Sequence, residues 1–214
     1  MLNLTDMQAY QAQTNLLYHA LYFAPTAEFV QMLQQAHLSD SWPMAGEVLT
    51  REQGLSHLVK ALAQPQALML AKQDHTPLFI GPGDLGVIPW GSPYLHEKRL
   101  LCGPSTQALG RFYEHHGIDI STDNNEPVDH IGLMLSAVSA LLALEMQQQD
   151  GHALAAVKVL LEEHLLPWSG RFLELLAQAA NSDYYRGVGL LTQSVLIGLQ
   201  HDLKLTPLKL QLFQ

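Results

Sequence analysis

The sequence predicts an all-α fold, a single-domain helical bundle that spans residues 1–214. Apolar residues recur at the three- and four-residue spacing of helices along most of the chain, and no stretch alternates apolar and polar residues as strands do. Apolar residues make up 48% of the 214 residues, which is ample for one packed core. A Pro/Gly-rich loop at 77–93 is predicted to separate N-terminal helices at 1–76 from a C-terminal helical bundle at 94–214.

In the N-terminal part, a threonine that can cap a helix precedes each apolar pattern. The first helix is predicted from Thr5 to about Tyr22, the second from Thr26 and the third from Thr50. Because proline breaks a helix interior, Pro65 ends the third helix or opens the next one.

The segment 77–93 contains four prolines and four glycines, a density that predicts a loop. Loops this long are uncommon in compact domains and are usually functional or disordered. Its apolar content argues against disorder. The apolar residues are Leu78, Phe79, Ile80, Leu85, Val87, Ile88 and Trp90.

After the loop, five helices with short connections are predicted, as in an antiparallel bundle. Gly117 stops the first of them, and Pro167 or Ser169 starts the fourth. The five span about 105–116, 126–148, 151–165, 167–180 and 183–203.

The charge balance favours a cationic partner and argues against nucleic acid. The net charge is −9, with 20 acidic and 11 basic residues, whereas nucleic-acid binding needs Lys and Arg. No basic residue lies between Arg111 and Lys158, a stretch that holds seven acids. An acidic, solvated face remains the alternative interpretation.

Three features predict a cytoplasmic protein. Cys102 is the only cysteine, so no internal disulfide forms, as is usual in a reducing compartment. Residues 1–50 carry no Lys or Arg and so lack the charged start of a signal peptide. The most apolar stretch, 131–144, is shorter than the ~20 residues that cross a bilayer, so we expect no stable membrane insertion.

Motifs for catalysis, cofactors or metals are lacking, so we predict no catalytic residue, no cofactor and no metal site. The eleven histidines include no pair at HExxH spacing. Gly81-Pro82-Gly83 is not a phosphate loop, and Gly91-Ser92 lacks the context of a nucleophile elbow. We interpret Cys102 as a buried packing residue and not as a nucleophile.

Two short segments are the sharpest local features, and each has two interpretations. In Asn-Glu-Pro-Val-Asp-His at 125–130, Glu126 and Asp129 suit the first turn of a helix, or they hold carboxylates at a groove. Capping would explain every residue there except His130. In Pro-Trp-Gly-Ser-Pro-Tyr-Leu at 89–95, the aromatic residues form a rigid binding surface or part of the core.

These segments, in this order, resemble the TorD/DmsD/NarJ family of redox-enzyme maturation chaperones, most closely its DmsD and TorD branches. The Glu-Pro-x-Asp-His element together with Pro-Trp-Gly-Ser is the most specific part of the resemblance. The matching stretches are 78–82, 89–95, 100–103, 125–130, 164–172 and 183–186.

The resemblance implies an all-α cytoplasmic chaperone that binds the twin-arginine signal peptide of a molybdopterin oxidoreductase of the DMSO/TMAO reductase type until its cofactor is loaded. Cys102, Val128 and Gly83 depart from the residues usual in the family, which bears on the identity of the client. The implied peptide-binding residues are Leu78, Phe79, Pro89, Trp90, Gly91, Ser92, Tyr94, Gly103, Glu126, Asp129 and His130.

Physical chemistry agrees with such a partner, since arginines need carboxylates and an apolar helix needs an apolar groove. Two other classes stay open. One is a helical scaffold subunit without a peptide groove, and the other is a small enzyme in which Asp129 or Glu126 orients His130 as a general base. A monomer and a helix-swapped dimer are both compatible with the sequence.

Overall fold

A computed structural model describes residues 2–80, 87–120, 122 and 126–213, and the regular elements within these ranges are helices. The all-α prediction is confirmed. Two π-helical segments, Thr76–Ile80 and Leu160–Leu165, accompany the α-helices. In chain order the α-helices are α1 (Leu4–Tyr22), α2 (Ala27–Gln35), α3 (Leu38–Ser41), α4 (Val48–Leu62), α5 (Ala67–His75), α6 (Ser92–Leu95), α7 (Pro104–His115), α8 (Ile131–Gln148), α9 (His152–Val159), α10 (Leu166–Ala179) and α11 (Asp183–Asp202).

Two helix pairs make the most extensive contacts, α1 with α8 and α4 with α11. Helix α11 joins the pairs because it also contacts α1 and α10. Helix α8 is apolar on nearly every face, as expected for a helix enclosed by others. The bundle therefore has its core along α8 and α11, and the segments before each of these helices are held on that core.

By length and composition, α8 could also cross a membrane, and it is the one helix of the described residues that meets this test. The apolar stretch identified from the sequence, 131–144, is shorter and was expected not to cross a bilayer. In the bundle, 61% of the 18-residue window is buried. A central helix of a globular core has this same composition.

Three predicted helix starts can be compared with the caps in the structure. Thr26 caps α2, as predicted, and its hydroxyl accepts a hydrogen bond from the Phe29 amide at 3.2 Å. The prediction that Thr5 and Thr50 cap helices is wrong. Asn3 caps α1, and the carboxylate of Glu47 caps α4 by accepting from two amides, which a single threonine hydroxyl does not match.

The predicted loop at 77–93 is shorter than expected at both ends. Helix α5 continues into the π-helical segment Thr76–Ile80, where the wider turn relieves the clash of the Pro77 ring with the preceding turn. At the other end, α6 begins at Ser92. The helix stop at Gly117 agrees with its positive φ of 63°. Residues 81–86, including Gly83, lie outside the described residues.

Glycines allow α4 and α11 to approach closely. A Cβ added at Gly187 would lie 2.7 Å from the Leu58 nitrogen and 2.9 Å from the Gly54 oxygen. Both are backbone atoms, which cannot move without separating the helices. The contact between α4 and α11 thus depends on the absence of a side chain at this position.

We expect Gly187→Ala to lower the free energy of unfolding by about 1–3 kcal/mol, the usual cost of overpacking. Gly110→Ala in α7 is the matched control, because a Cβ there meets nothing within 4 Å. The control should raise stability by about 0.5–1 kcal/mol, since alanine favours a helix over glycine. Urea unfolding of both variants measures the difference, and equal effects would contradict the close approach.

Candidate functional site

The segments around Trp90 and Asp129, which are the most distinctive in the sequence, lie side by side in the structure. The Ile131 amide donates to the Pro89 carbonyl at 2.8 Å, and the Gly91 amide donates to the Asp129 carbonyl at 3.1 Å. These bonds form an antiparallel bridge that pairs Trp90 with His130. The residues before α6 are thereby fixed to the residues before α8.

The Asp129 carboxylate strengthens this junction. Its Oδ2 accepts hydrogen bonds from the Ser92 amide at 2.7 Å and from the Thr106 hydroxyl at 3.0 Å. Asp129 is only 4% exposed, and its Oδ1 is buried without a hydrogen-bond partner among the residues that the structure describes. One carboxylate therefore holds the starts of α6 and α7 and keeps a free acceptor.

Other polar atoms around Asp129 are also incompletely paired. The hydroxyls of Ser92 and Tyr113 are buried and lack a hydrogen-bond partner within the described ranges. Burial and the nearby charge of Asp129 raise the pKa of Tyr113. Buried polar groups are nearly always paired in folded proteins, so this cluster is unusual.

His130, and not Asp129, caps α8. The His130 Nδ1 accepts a hydrogen bond from the Gly132 amide at 3.0 Å, so the ring proton sits on Nε2. The edge-to-face neighbours of the ring are Tyr22 and Trp90, at centroid distances of 5.0 and 5.4 Å. Burial lowers the pKa of His130 to about 3, so the ring is neutral at physiological pH.

The predicted helix start near Glu126 and the capping interpretation of Asp129 are therefore wrong. Helix α8 begins at Ile131, five residues later than Glu126. The Asp129 carboxylate is engaged by Ser92 and Thr106, so the free amide of α8 takes the imidazole as its acceptor. Asn125 lies outside the described residues.

A pocket of about 240 Å³ opens beside this junction. Its lining is mostly apolar but includes the carboxylates of Asp129 and Glu163, and no Lys or Arg is among its described lining residues. The lining residues are Gly91, Leu95, Ser105, Ala108, Leu109, Asp129, Glu163, His164, Trp168, Leu208 and Leu210.

Trp168 forms one wall of the pocket and accounts for the need for glycine at position 91. A Cβ at Gly91 would lie 2.7 Å from the Trp168 ring atoms Cε2 and Nε1. The Trp168 Nε1 donates to the His164 carbonyl at 2.8 Å, and the ring stacks on Tyr94 with centroids 5.4 Å apart. The indole is thus locked in place, and only glycine fits against it.

Glu163 and His164 reach the pocket from the π-helical segment Leu160–Leu165. Burial lowers the pKa of His164, while the charge of Glu163 opposes that shift. π-Helical turns are rare and often occur at functional sites. Sequence reasoning missed Glu163, His164 and Trp168 as pocket residues; the only signal was the resemblance of the stretch 164–172 to the family.

Most predicted site residues are buried. Tyr94 and Ser92 are fully enclosed, and the Tyr94 hydroxyl donates to the Ile88 carbonyl at 2.9 Å. Gly103 precedes α7, next to Ser92. Trp90 and Glu126 are the partly exposed members of the predicted set. The buried members are Leu78, Phe79, Pro89, Gly91, Ser92, Tyr94, Gly103, Asp129 and His130.

Leu78 and Phe79 belong to another part of the core. They are 2% and 8% exposed, and the Phe79 ring contacts His75 and Tyr185, each at 5.3 Å. Neither residue lines the pocket at Asp129. The described contacts therefore join the segments around Trp90 and Asp129 but leave Leu78 and Phe79 apart from them.

Cys102 is exposed, which corrects its interpretation as a buried packing residue. It adopts a left-handed backbone with φ of 58° just before Gly103 and Pro104, a turn that directs the chain into α7 and leaves the side chain in solvent. Within the described ranges, no group of three His, Cys, Asp or Glu side chains could hold a metal ion.

Comparison with known proteins identifies the family. A family model described as "Nitrate reductase delta subunit" matches residues 49–174. The probable Tat proofreading chaperone DmsD of Haemophilus influenzae is 33% identical over 192 residues, which cover 88% of each chain. The Tat proofreading chaperone DmsD of Salmonella typhimurium is 33% identical over 85% of this chain and 84% of its own. The chaperone protein TorD of Vibrio vulnificus is 28% identical over 52% of this chain and 54% of its own. This chain belongs to the TorD/DmsD/NarJ family, and the resemblance drawn from its motifs is confirmed.

The neutral, buried His130 makes stability depend on pH. Its folded pKa of about 3 lies below the ordinary 6.5, so the unfolded chain binds a proton first as pH falls. The free energy of unfolding should therefore decrease below about pH 6.5, by about 2 kcal/mol at pH 5 from this residue alone.

His130→Asn tests this dependence, because asparagine can still cap α8 but does not titrate. Between pH 7.5 and pH 5, the free energy of unfolding measured in urea should decrease by about 2 kcal/mol less in the variant than in the wild type. His152→Asn, at an exposed histidine, is the control and should keep the wild-type slope. An unchanged slope in His130→Asn would show that the imidazole takes up its proton at the same pH in the folded and the unfolded chain.

Proposed function

We propose that this protein is a cytoplasmic chaperone that binds the twin-arginine signal peptide of a molybdopterin oxidoreductase, of the DMSO/TMAO reductase type, and assists its maturation before export. It performs no catalysis of its own. Its family membership and the names of its relatives support this role. The observation that carries the proposal is the buried Oδ1 of Asp129, which has no hydrogen-bond partner among the described residues and lies beside a mostly apolar pocket.

An arginine side chain of the client fits this pocket by charge. A guanidinium donates several hydrogen bonds in one plane, and in the described part of the chain Asp129 has one acceptor without a donor. Glu163 adds a second carboxylate among the lining residues, and Trp168, which is only 1% exposed, is also part of the lining. A hydrogen bond to a charged group contributes about 1.5–3 kcal/mol, more where a buried acceptor was unpaired before.

The apolar stretch of the signal peptide requires an apolar surface, and part of the pocket lining provides one. Leu95, Ala108 and Leu109 supply apolar wall next to Asp129. Trp90, partly exposed above His130, extends the aromatic surface on the other side of the bridge. Charge and apolar area are therefore adjacent, in the arrangement that a twin-arginine signal requires.

The alternative of an enzyme that uses His130 as a base is disfavoured by the geometry. The lone pair of Nδ1 is engaged by the Gly132 amide, and the ring holds its neutral form down to about pH 3. A helical scaffold without a peptide groove has no use for a buried carboxylate oxygen that lacks a donor among the described residues. Co-purification separates the classes, since a chaperone captures reductase precursors and a scaffold captures a stoichiometric subunit.

We expect Asp129→Asn to weaken binding of a twin-arginine peptide while it leaves stability within about 1 kcal/mol, because the amide oxygen still accepts from Ser92 and Thr106. The two arginines of the peptide are also replaced by glutamine, which completes a double-mutant cycle. Calorimetry should give a coupling energy of about 1.5–3 kcal/mol between Asp129 and the arginines.

Asp119→Asn is the matched control, because it removes the same charge at an exposed position of the same acidic stretch. Its coupling to the arginines should be near zero in physiological salt. If both variants couple equally, the arginines sense only the overall negative charge, and Asp129 is not their receptor.

We expect Trp90→Ala to weaken peptide binding by about 1–3 kcal/mol with the fold retained, because Trp90 is partly exposed beside the pocket. Trp42→Ala is the control, since Trp42 is 5% exposed in the core and should cost about 3–5 kcal/mol of stability instead. Thermal melting and calorimetry on each variant check this. A large loss of melting temperature with intact affinity in Trp90→Ala would remove Trp90 from the binding surface.

A further inference from the structure

The chain continues beyond α11, and the residues that follow this helix cross the candidate site. Leu203 and Leu205 are buried and anchor the chain where α11 stops. Residues 206–213, which we call the strap, then continue without regular secondary structure. The strap passes from the π-helical segment at Glu162 to the end of α6 at Tyr94.

Three backbone donors hold the strap in place. The Thr206 amide donates to the Glu162 Oε1 at 2.6 Å, and the Leu208 amide donates to the Glu162 carbonyl at 2.9 Å. At the far end, the Phe213 amide donates to the Tyr94 carbonyl at 2.9 Å. The strap is thus attached at both ends to elements that also form the pocket wall.

Between these attachments, Leu208 and Leu210 line the pocket that contains Asp129 and Trp168. These two residues remain 49% and 45% exposed, so each buries only about half of its surface. Three backbone hydrogen bonds and half-exposed leucines hold the strap less firmly than the bonded turns of a buried helix are held. Because the strap has no regular secondary structure, its release would break no helix.

The strap and the expected client peptide have similar chemical composition. Its sequence Pro-Leu-Lys-Leu-Gln-Leu-Phe at 207–213 combines apolar side chains with one cation, Lys209, and no acid. A twin-arginine signal likewise combines cations with an apolar stretch. An apolar, cationic segment of the chain itself therefore already lies where such a ligand would lie.

We propose that the strap occupies the client-binding groove of the free protein and that the client peptide displaces it. This inference rests on the proposed function, because it assigns the occupant of the same pocket. A closed strap lowers the apparent affinity by the fraction of molecules in which the groove is open. It also covers Leu95, Asp129 and Trp168 until a ligand competes for them.

The test releases the strap in the full chain. Leu208→Pro with Phe213→Pro removes the amide donors to Glu162 and Tyr94 without a change of charge. A synthetic peptide with two adjacent arginines and an apolar stretch should bind this variant about fivefold more tightly, the factor that two weak hydrogen bonds represent. Its association rate should rise as well.

Gln211→Pro is the matched control. It introduces a proline into the strap at an exposed position, and the described hydrogen bonds include none from the Gln211 amide. Its affinity and association rate should equal those of the wild type. Melting temperatures of all three proteins verify that the bundle is intact.

Hydrogen exchange gives a second readout on the wild type. The amides of Leu208 and Phe213 should be protected in the free protein and should exchange faster when the peptide saturates the site. If release of the strap weakens binding, the strap is a fixed wall of the site and the proposal is overturned. Unchanged affinity with protected strap amides in the complex overturns it too, while the chaperone function stands. A peptide that binds none of the proteins overturns both.

Discussion

The arrangement of the candidate site depends on one buried carboxylate. Asp129 fixes the start of α6 through the Ser92 amide and the start of α7 through the Thr106 hydroxyl. Its own carbonyl accepts from Gly91 and so continues the bridge to the Trp90 segment. A buried charge is tolerated only when it is well paired, yet half of this carboxylate has no donor in the described structure. The junction therefore combines a structural function with an unsatisfied demand for a cation, and both come from the same side chain.

The neutral His130 is the second fixed point of this junction. Burial between Tyr22 and Trp90 keeps the ring uncharged, and the Gly132 amide occupies its lone pair. The sequence offered the opposite assignment, with Asp129 as the cap and His130 without a task. Spacing alone does not distinguish them, because either side chain can accept from a helix amide and the choice depends on donors distant in sequence.

Periodicity was sufficient for the fold class and for most helices, since each helix buries an apolar face. The motifs also indicated that the segments around Trp90 and Asp129 act together, which their hydrogen bonds explain. Leu78 and Phe79 are buried, and the Phe79 ring packs on Tyr185. The local sequence does not distinguish two such buried apolar residues from the lining of a groove. The position of Glu163 in the pocket wall could not be predicted for another reason. It depends on a π-helical turn and on tertiary packing, and neither produces a periodic pattern in the sequence.

On the proposed function, the pocket should distinguish arginine from lysine and not only positive from neutral. An ammonium is compact and strongly hydrated, so its transfer next to Leu95 and Leu109 costs more than that of a guanidinium. The planar guanidinium also presents several donors in a fixed geometry toward a carboxylate such as Asp129, whereas an ammonium is a point charge. The strap follows the same logic, because its only cation is Lys209, which is exposed, and leucines are what it presents to the pocket. A segment with lysine in place of arginine can cover the groove without satisfying Asp129, so the free acceptor is retained for a ligand that carries a guanidinium.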